Sequence, residues 1–290
     1  MELNFEAHES EGREKGFMVP VGIASWTCEM DGAVNAVRRI ARHGFQNVEL
    51  WCNYAHLDPR LEEDVTMLGQ VLREERLRPV SLHAPFEFRG EKTSTQDVWA
   101  AWEELMTTLV ETADHLEVGF LVVHPVLVSR PPDLRGGEII ACHEQSLKRV
   151  ARLAAGRGIR IALENLGRKN VPDFADPAEV VKLTQRLGED NVGVCFDTGH
   201  CLVSGLDPIE EMDHCLPHVL SFHIHENDGL EDLHWVPGKG RIDWPRFFDK
   251  LHTVGYGGLL IMEIWGGQDA DRVMEEARDF ADQYSLRGVS

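Results

Sequence analysis

The chain has no Cys-x-x-Cys pair, no apolar run near the ~18 residues of a membrane span, and far fewer basic than acidic residues. Each absence excludes something. The six cysteines, Cys28, Cys52, Cys142, Cys195, Cys201 and Cys215, are spread too thinly over 290 residues to act as a disulfide framework, so reduced and mostly buried thiols are expected. Without an apolar span the protein should be soluble, with no membrane partner. The opening MELNFEAHESEGREKGF lacks the basic and apolar regions of a secretory signal. It reads as a polar leader, residues 1–18, before one domain of residues 19–290, and points to the cytoplasm. The 29 Lys and Arg against 49 Asp and Glu leave a formal charge of −20, which opposes a phosphate backbone, so nucleic acid is not an expected partner. Carboxylates that ligate divalent cations enter that sum as bare charges, and the excess is also what a metal site counted without its ions looks like.

What is there is alternation. Short runs rich in Val, Ile and Leu, each followed by a longer segment with helical spacing, recur along the chain. Strands are expected at Val19–Ser25, Asn47–Trp51, Pro79–His83, Gly119–His124, Ile159–Glu164, Val192–Phe196, Val219–His225 and Gly258–Glu263. Their near-continuous apolar character suits parallel strands buried on both faces. Helices are expected at Gly32–His43, Arg60–Arg76, Thr95–Glu117, Gly137–Arg157, Pro177–Leu187, Trp244–Thr253 and Asp271–Tyr284, from apolar residues at i, i+3 and i+4. Asp176 before Pro177 is an N-cap followed by an N1 proline. Such alternation builds either a closed barrel or an open doubly wound sheet. Eight units, and no glycine-rich nucleotide fingerprint after the first strand, select a single (β/α)8 TIM barrel.

Barrel enzymes carry their reacting groups at the carboxyl ends of the strands. Here those ends are polar: His83 in SLHAPF, His124 in VVHPV, Glu164 in IALENLG, Asp197 and His200 in VCFDTGH, His225 in FHIHEND and Glu263 in LLIMEIW. The loop after the seventh strand adds Asp232 and His234. A lone histidine at a strand end is more often a hydrogen-bonded rim residue than a ligand. His223 is accordingly assigned to an interior barrel layer, and His43, His56, His115, His143, His214, His218 and His252 to helices or turns. Glu164 and Glu263 resist so plain a reading, because each closes an apolar run and a buried carboxylate needs a partner or a cation. Four carboxylates and five imidazoles on one rim would repel and desolvate one another, and bound metal is the natural compensation.

At these residues the chain resembles the xylose isomerase-like barrel superfamily, which holds sugar and sugar-phosphate isomerases and epimerases together with the endonuclease IV family. The resemblance runs from VGIASWTCEM to LLIMEIWGG and is most specific at Glu164-Asn165, Asp197-Thr198-Gly199-His200, His225-Glu226-Asn227-Asp228 and Asp232-Leu233-His234 before Gly238-Lys239-Gly240. It implies a shared metal site of Glu164, Asp197, His225 and Glu263, with Glu164 and Glu263 also moving the proton next to a carbonyl of a small sugar, sugar phosphate or keto-polyol. The endonuclease IV branch adds His83, His124, His200, Asp232 and His234, giving a multinuclear phosphodiester hydrolase as the alternative. One to three ions are implied, Zn²⁺ or Mn²⁺ first, with Mg²⁺, Co²⁺ and iron also suited. Trp26, Glu49 and Trp51 would line the substrate mouth, with apolar packing the alternative for either tryptophan. Lys239 is a candidate for holding a phosphate, with a solvated loop lysine the plainer alternative. Gly199 departs from the repair enzymes, which carry Cys there, and the basic and aromatic loops of a duplex binder are missing. A homo-oligomer is compatible with all of this.

Overall fold

Runs of β-branched and aliphatic residues too short for a helix form eight strands: β1 Val21–Ala24, β2 Asn47–Trp51, β3 Arg78–His83, β4 Phe120–Val123, β5 Arg160–Glu164, β6 Val192–Asp197, β7 Val219–Ile224 and β8 Leu259–Met262. In this computed structural model, which describes residues 19–85, 95–125, 136–169, 171–284 and 286, each strand pairs in parallel with the next. β8 closes on β1 through Val21↔Leu260, Gly22↔Ile261 and Ile23↔Met262. The expected TIM barrel is therefore the observed one. Residues 1–18, read as a leader, lie outside the described residues. Among those described, no helix is long and apolar enough to cross a membrane.

The outer layer comprises α1 Ala33–Arg42, α2 Glu62–Glu75, α3 Thr95–His115, α4 Gly136–Ala155, α5 Pro177–Leu187, α6 Thr198–Val203, α7 Pro208–Cys215, α8 Trp244–Thr253 and α9 Ala270–Gln283. α5 starts where Asp176 accepts a hydrogen bond from the Ala178 N–H, with Pro177 preset in the first turn, and stops at Gly188, whose φ of 64° ends the helix. Helices α6 and α7 were not among those expected, because six and eight residues are too few for a 3.6-residue period to declare itself. Cys28, Cys52, Cys195, Cys201 and Cys215 are free and buried, while the side chain of Cys142 lies outside the description.

Phe196, Phe222 and Phe247 pack between β6, β7 and α8. A smaller cluster, with Ala24, Val122, Ala162, Cys195 and Ile261 among its members, fills the barrel interior. Ala162, Cys195 and Ile261 each stand two residues before Glu164, Asp197 and Glu263, and since side chains alternate along a strand, this apolar layer lies directly beneath the carboxylates. Irregular pairing falls at Val48/Glu49 on β2 and Val194/Cys195 on β6. Such irregularities re-aim the side chains that follow.

Candidate metal centre

Glu164, at the end of β5 and buried, is the hub of an inner cluster. Its Oε2 lies 3.2 Å from His83 Nε2 and 3.3 Å from His124 Nε2. Its Oε1 faces His223 Nδ1 at 2.9 Å and His200 Nδ1 at 3.6 Å. His223 Nδ1 is also 3.3 Å from Glu263 Oε2 and 3.9 Å from Asp197 Oδ2, so one imidazole nitrogen faces three carboxylates, from β5, from β6 and from just beyond β8.

Asp197 serves two ends at once. Its Oδ1 caps α6 by accepting from the His200 N–H at 2.5 Å, while the same carboxylate meets His225 Nε2 at 3.1 Å. Asn165 clamps β5 to β6, accepting from the Asp197 N–H at 2.8 Å and donating to its carbonyl at 3.0 Å. This explains the weight of the Glu164-Asn165 pair: the acid presents charge and the amide fixes the neighbouring acid.

An outer cluster adjoins the inner one. Asp232 lies 3.1 Å from His200 Nε2 and 3.4 Å from His234 Nε2. His225 stacks on His234 with ring centroids 3.8 Å apart and 13° between planes. His234 holds a left-handed backbone, φ 47°, rare for a residue with a side chain. That conformation is pinned by its Nδ1 against the Glu263 carbonyl at 2.8 Å and by the Trp265 N–H donating to its own carbonyl at 2.9 Å. Gly199 has a local reason as well. A Cβ there would sit 2.0 Å from His225 Cε1, so the glycine makes room for the imidazole ring.

Burial alone would depress these imidazoles, but the carboxylates prevail over it at several. His200 and His223 are raised well above the ordinary value, and His234 is lifted to about 9, with Asp232 the main influence opposing burial. At His124 burial outweighs the bond to Glu164 and the shift is downward. Burial would likewise raise the acids. Instead the facing imidazoles hold Glu164 well below the usual carboxylate range, and Glu263 and Asp232 below it too.

All nine residues expected on the rim thus converge. The structure corrects the reading of their neighbours. His223, assigned to a barrel layer, does occupy one, but there it is the imidazole between Glu164 and Glu263. The signal was His-x-His, which puts both rings on one strand face and leaves their depth open. Glu49 is not at the mouth: two residues before Trp51 and 1% exposed, it turns to Ser81 and His223. Lys239 pairs with Glu276 on α9. Trp26 stays at the rim, edge-on to His234 at 4.7 Å and to Trp51 at 6.3 Å, and Trp51 leans on His56.

The donor set suits a divalent ion. His83, Glu164, His223 and Glu263 offer ligand atoms all within 4.8 Å of one another, as do His200, His225, Asp232 and His234, with Glu164, Asp197 and His200 and the trio Asp197, His225 and Glu263 bridging the two groups. Among the described residues, every ion-pair partner of the four carboxylates is an imidazole. Ligands about 2.1 Å from a shared ion stand about 3 to 3.5 Å apart, close to the separations seen here.

Residues 37–284 match the family model described as a xylose isomerase-like TIM barrel. Relatives of named activity include an inosose isomerase of Bacillus velezensis, 24% identical over 237 residues, covering 77% of this chain and 80% of its own. A D-psicose 3-epimerase of Agrobacterium fabrum is 24% identical over 269 residues, 84% of this chain and 89% of its own. Among solved structures, a D-tagatose 3-epimerase-like protein shares the fold with a TM-score of 0.78 at 23% identity, over 92% of this chain and 97% of that one.

Proposed function

The chain belongs to the xylose isomerase-like TIM barrel family, and from that premise we propose that it is a divalent-metal-dependent isomerase or epimerase of a small sugar, sugar phosphate or keto-polyol. The observation that carries the reading is the pair of buried glutamates, Glu164 on β5 and Glu263 just beyond β8, flanking His223 at 2.9 Å and 3.3 Å. Named relatives that isomerise inosose or epimerise D-psicose support it and make such ketones the first substrates to try.

Glu164, Asp197, His225 and Glu263 would hold the shared ion: Asp197, His225 and Glu263 lie within reach of one another, as do Glu164 and Asp197, with His83 and His223 beside the two glutamates. A bound divalent cation would supply positive charge to the carbonyl and neighbouring hydroxyl oxygens of a sugar. The chain supplies the rest. The imidazoles keep both glutamates ionised, the form that accepts a proton. One glutamate takes the proton from the carbon beside the carbonyl, and the electron pair moves onto the carbonyl oxygen as an enediolate. The opposite glutamate, once it has taken up a proton from solvent, returns it to the other face and inverts that carbon, the first glutamate releasing its own proton to solvent; return of the abstracted proton to the neighbouring carbon shifts the carbonyl. The apolar layer beneath excludes water from the floor of the site. Oxygen donors mixed with imidazoles favour Zn²⁺ or Mn²⁺ and also accommodate Mg²⁺, Co²⁺ or iron.

The test is solvent exchange. With Mn²⁺ in D₂O, D-psicose or an inosose should gain deuterium beside the carbonyl, and Glu263→Gln should slow uptake by at least about a hundredfold. Undiminished exchange by chelated protein would overturn the reading. The outer cluster favours a second reading, a centre of two or three ions that hydrolyses a small phosphodiester. A single bound ion per chain would remove that alternative.

A further inference from the structure

We propose that a cavity on the amino-terminal face of the barrel, walled by Arg73, Arg76 and Arg78, is a binding site for a small organic phosphate. It is separate from the metal centre and does not depend on how that centre is read. Arg78 begins β3 and His83 ends it, so at about 3.3 Å per residue the cavity lies about 16 Å from the ligand cluster. It holds about 400 Å³, within the range of small-molecule sites, between the last turns of α2 and α3 and the start of β3.

Arg73 lies in the last turn of α2, Arg76 caps that helix and Arg78 opens β3, so three guanidiniums meet within a short stretch of chain. Among the described residues none of the three forms an ion pair, whereas nine other arginines, Arg39 and Arg278 among them, pair with Asp or Glu. In a chain with 49 acids, leaving three neighbouring cations to repel one another is a cost that a bound anion removes. The dipole of α2 accounts for a cation in its last turn, Arg73, and not for Arg78 in a strand. The backbone points the same way. Arg76 and Glu117 hold left-handed conformations, φ 55° and 56°, where the turns after α1, α4, α5 and α8 use Gly44, Gly158, Gly188 and Gly255. Glycine would relieve the strain but bring no side chain to the cavity. Gly69, in the middle of α2, weakens the helix, yet a Cβ there would lie 3.2 Å from Leu116 Cδ2 and 3.5 Å from Arg73 Nη1, so its absence keeps the wall open. The floor is apolar, with Leu72, Leu77 and Leu116 buried. Glu117 is the one acid in the lining, beside His115. Guanidinium forks match phosphate oxygens in pairs, the leucines accept a carbon skeleton, and Glu117 suits the hydroxyls that a sugar phosphate or a nucleotide carries.

The experiment is equilibrium dialysis of inorganic phosphate, D-fructose 6-phosphate and AMP against the protein with Zn²⁺ present and against protein stripped on a chelating resin. At least one of the two esters should bind the stripped protein, and Arg76→Gln and Arg78→Gln should each weaken that binding by about tenfold or more. The ester that binds more tightly distinguishes a sugar phosphate from a nucleotide. Both variants change exposed side chains, and their unfolding midpoints should stay near wild type; if either fails to fold, Arg73→Gln carries the same comparison. Absence of binding by both esters at millimolar concentration would overturn the proposal. So would equal affinity in wild type and the arginine variants, or binding that disappears when Zn²⁺ is stripped, since each would place the anion elsewhere. Inorganic phosphate held as tightly as both esters would overturn the organic class.

Discussion

His56 and His143 are buried outside the two ligand clusters, His143 with Nε2 3.4 Å from the His124 carbonyl, and their surroundings keep them neutral. Burial pushes both down to about 4; His56 touches the Ser25 hydroxyl at 3.0 Å, and His143 lies against the rings of Trp99 and Trp102. An unfolded histidine takes up its proton near pH 6.5, so the unfolded chain binds protons before the folded one does. The stability these residues contribute is complete above pH 6.5 and is lost as the pH falls toward 4, by about 3 kcal/mol each. His234 acts in the opposite sense in the metal-free protein. Raised to about 9, it stabilises fully below pH 6.5, and that contribution disappears as the pH rises through 9. Urea midpoints of chelated protein should therefore fall from pH 6.5 to 4.5, and His143→Phe, which fits between the two tryptophans, should flatten the fall. An unchanged slope in that variant would place the acid sensitivity elsewhere.

At the level of elements, the segment after β7 depends on one acid. The backbone of Glu226 pairs both ways with Trp235, at 2.9 Å and 2.8 Å, closing the loop that carries Asp232 and His234. Its carboxylate accepts from the N–H groups of Gly238 at 2.5 Å, Gly240 at 2.8 Å and Ile242 at 2.7 Å. Gly240 must be glycine, since a Cβ would lie 2.5 Å from the Asn227 carbonyl oxygen. Removing the carboxylate leaves three amides without an acceptor, at about 1 to 3 kcal/mol for each that stays buried. Glu226→Ala should open this segment to trypsin at Lys239 and Arg241 while the barrel remains intact, with cleavage followed by the masses of the fragments. Cleavage at the wild-type rate would show that the loop is held by other means.

For the whole molecule, the closed barrel concentrates charge that the chain distributes over four segments. Glu164, Asp197, Glu263 and Asp232 meet there, Glu164, Asp197 and Glu263 deeply buried, within a chain of formal charge −20. Divalent cations that bind this arrangement and not the unfolded chain stabilise it by mass action, by about 2.7 kcal/mol at a hundred times Kd. For a domain of this size that corresponds to about 5 to 10 °C in Tm. Titration of chelated protein with Zn²⁺ or Mn²⁺ should produce that rise, and its stoichiometry separates one ion from several. A flat Tm through the titration would argue against any tight site.

Much of this was written locally. The spacing of apolar residues placed β2 at Asn47–Trp51, α5 at Pro177–Leu187 and α8 at Trp244–Thr253, as observed, because each element buries a face whose period the sequence must carry. Strand-ending acids such as Glu164 and Glu263 stood out for the same reason, a charge closing an apolar run. Other features belong to the tertiary structure. His223 and His225 share a face of β7, and only the closing of the barrel sets the depth at which one meets Glu164 and the other Asp197. Glu49 was expected at the mouth and instead meets His223, while Lys239, open to solvent as the plainer reading had it, pairs with Glu276; both partners come from remote parts of the chain. Periodicity encodes which way a side chain faces along its own element. Its partner across the barrel depends on the tilt and register of all eight strands together.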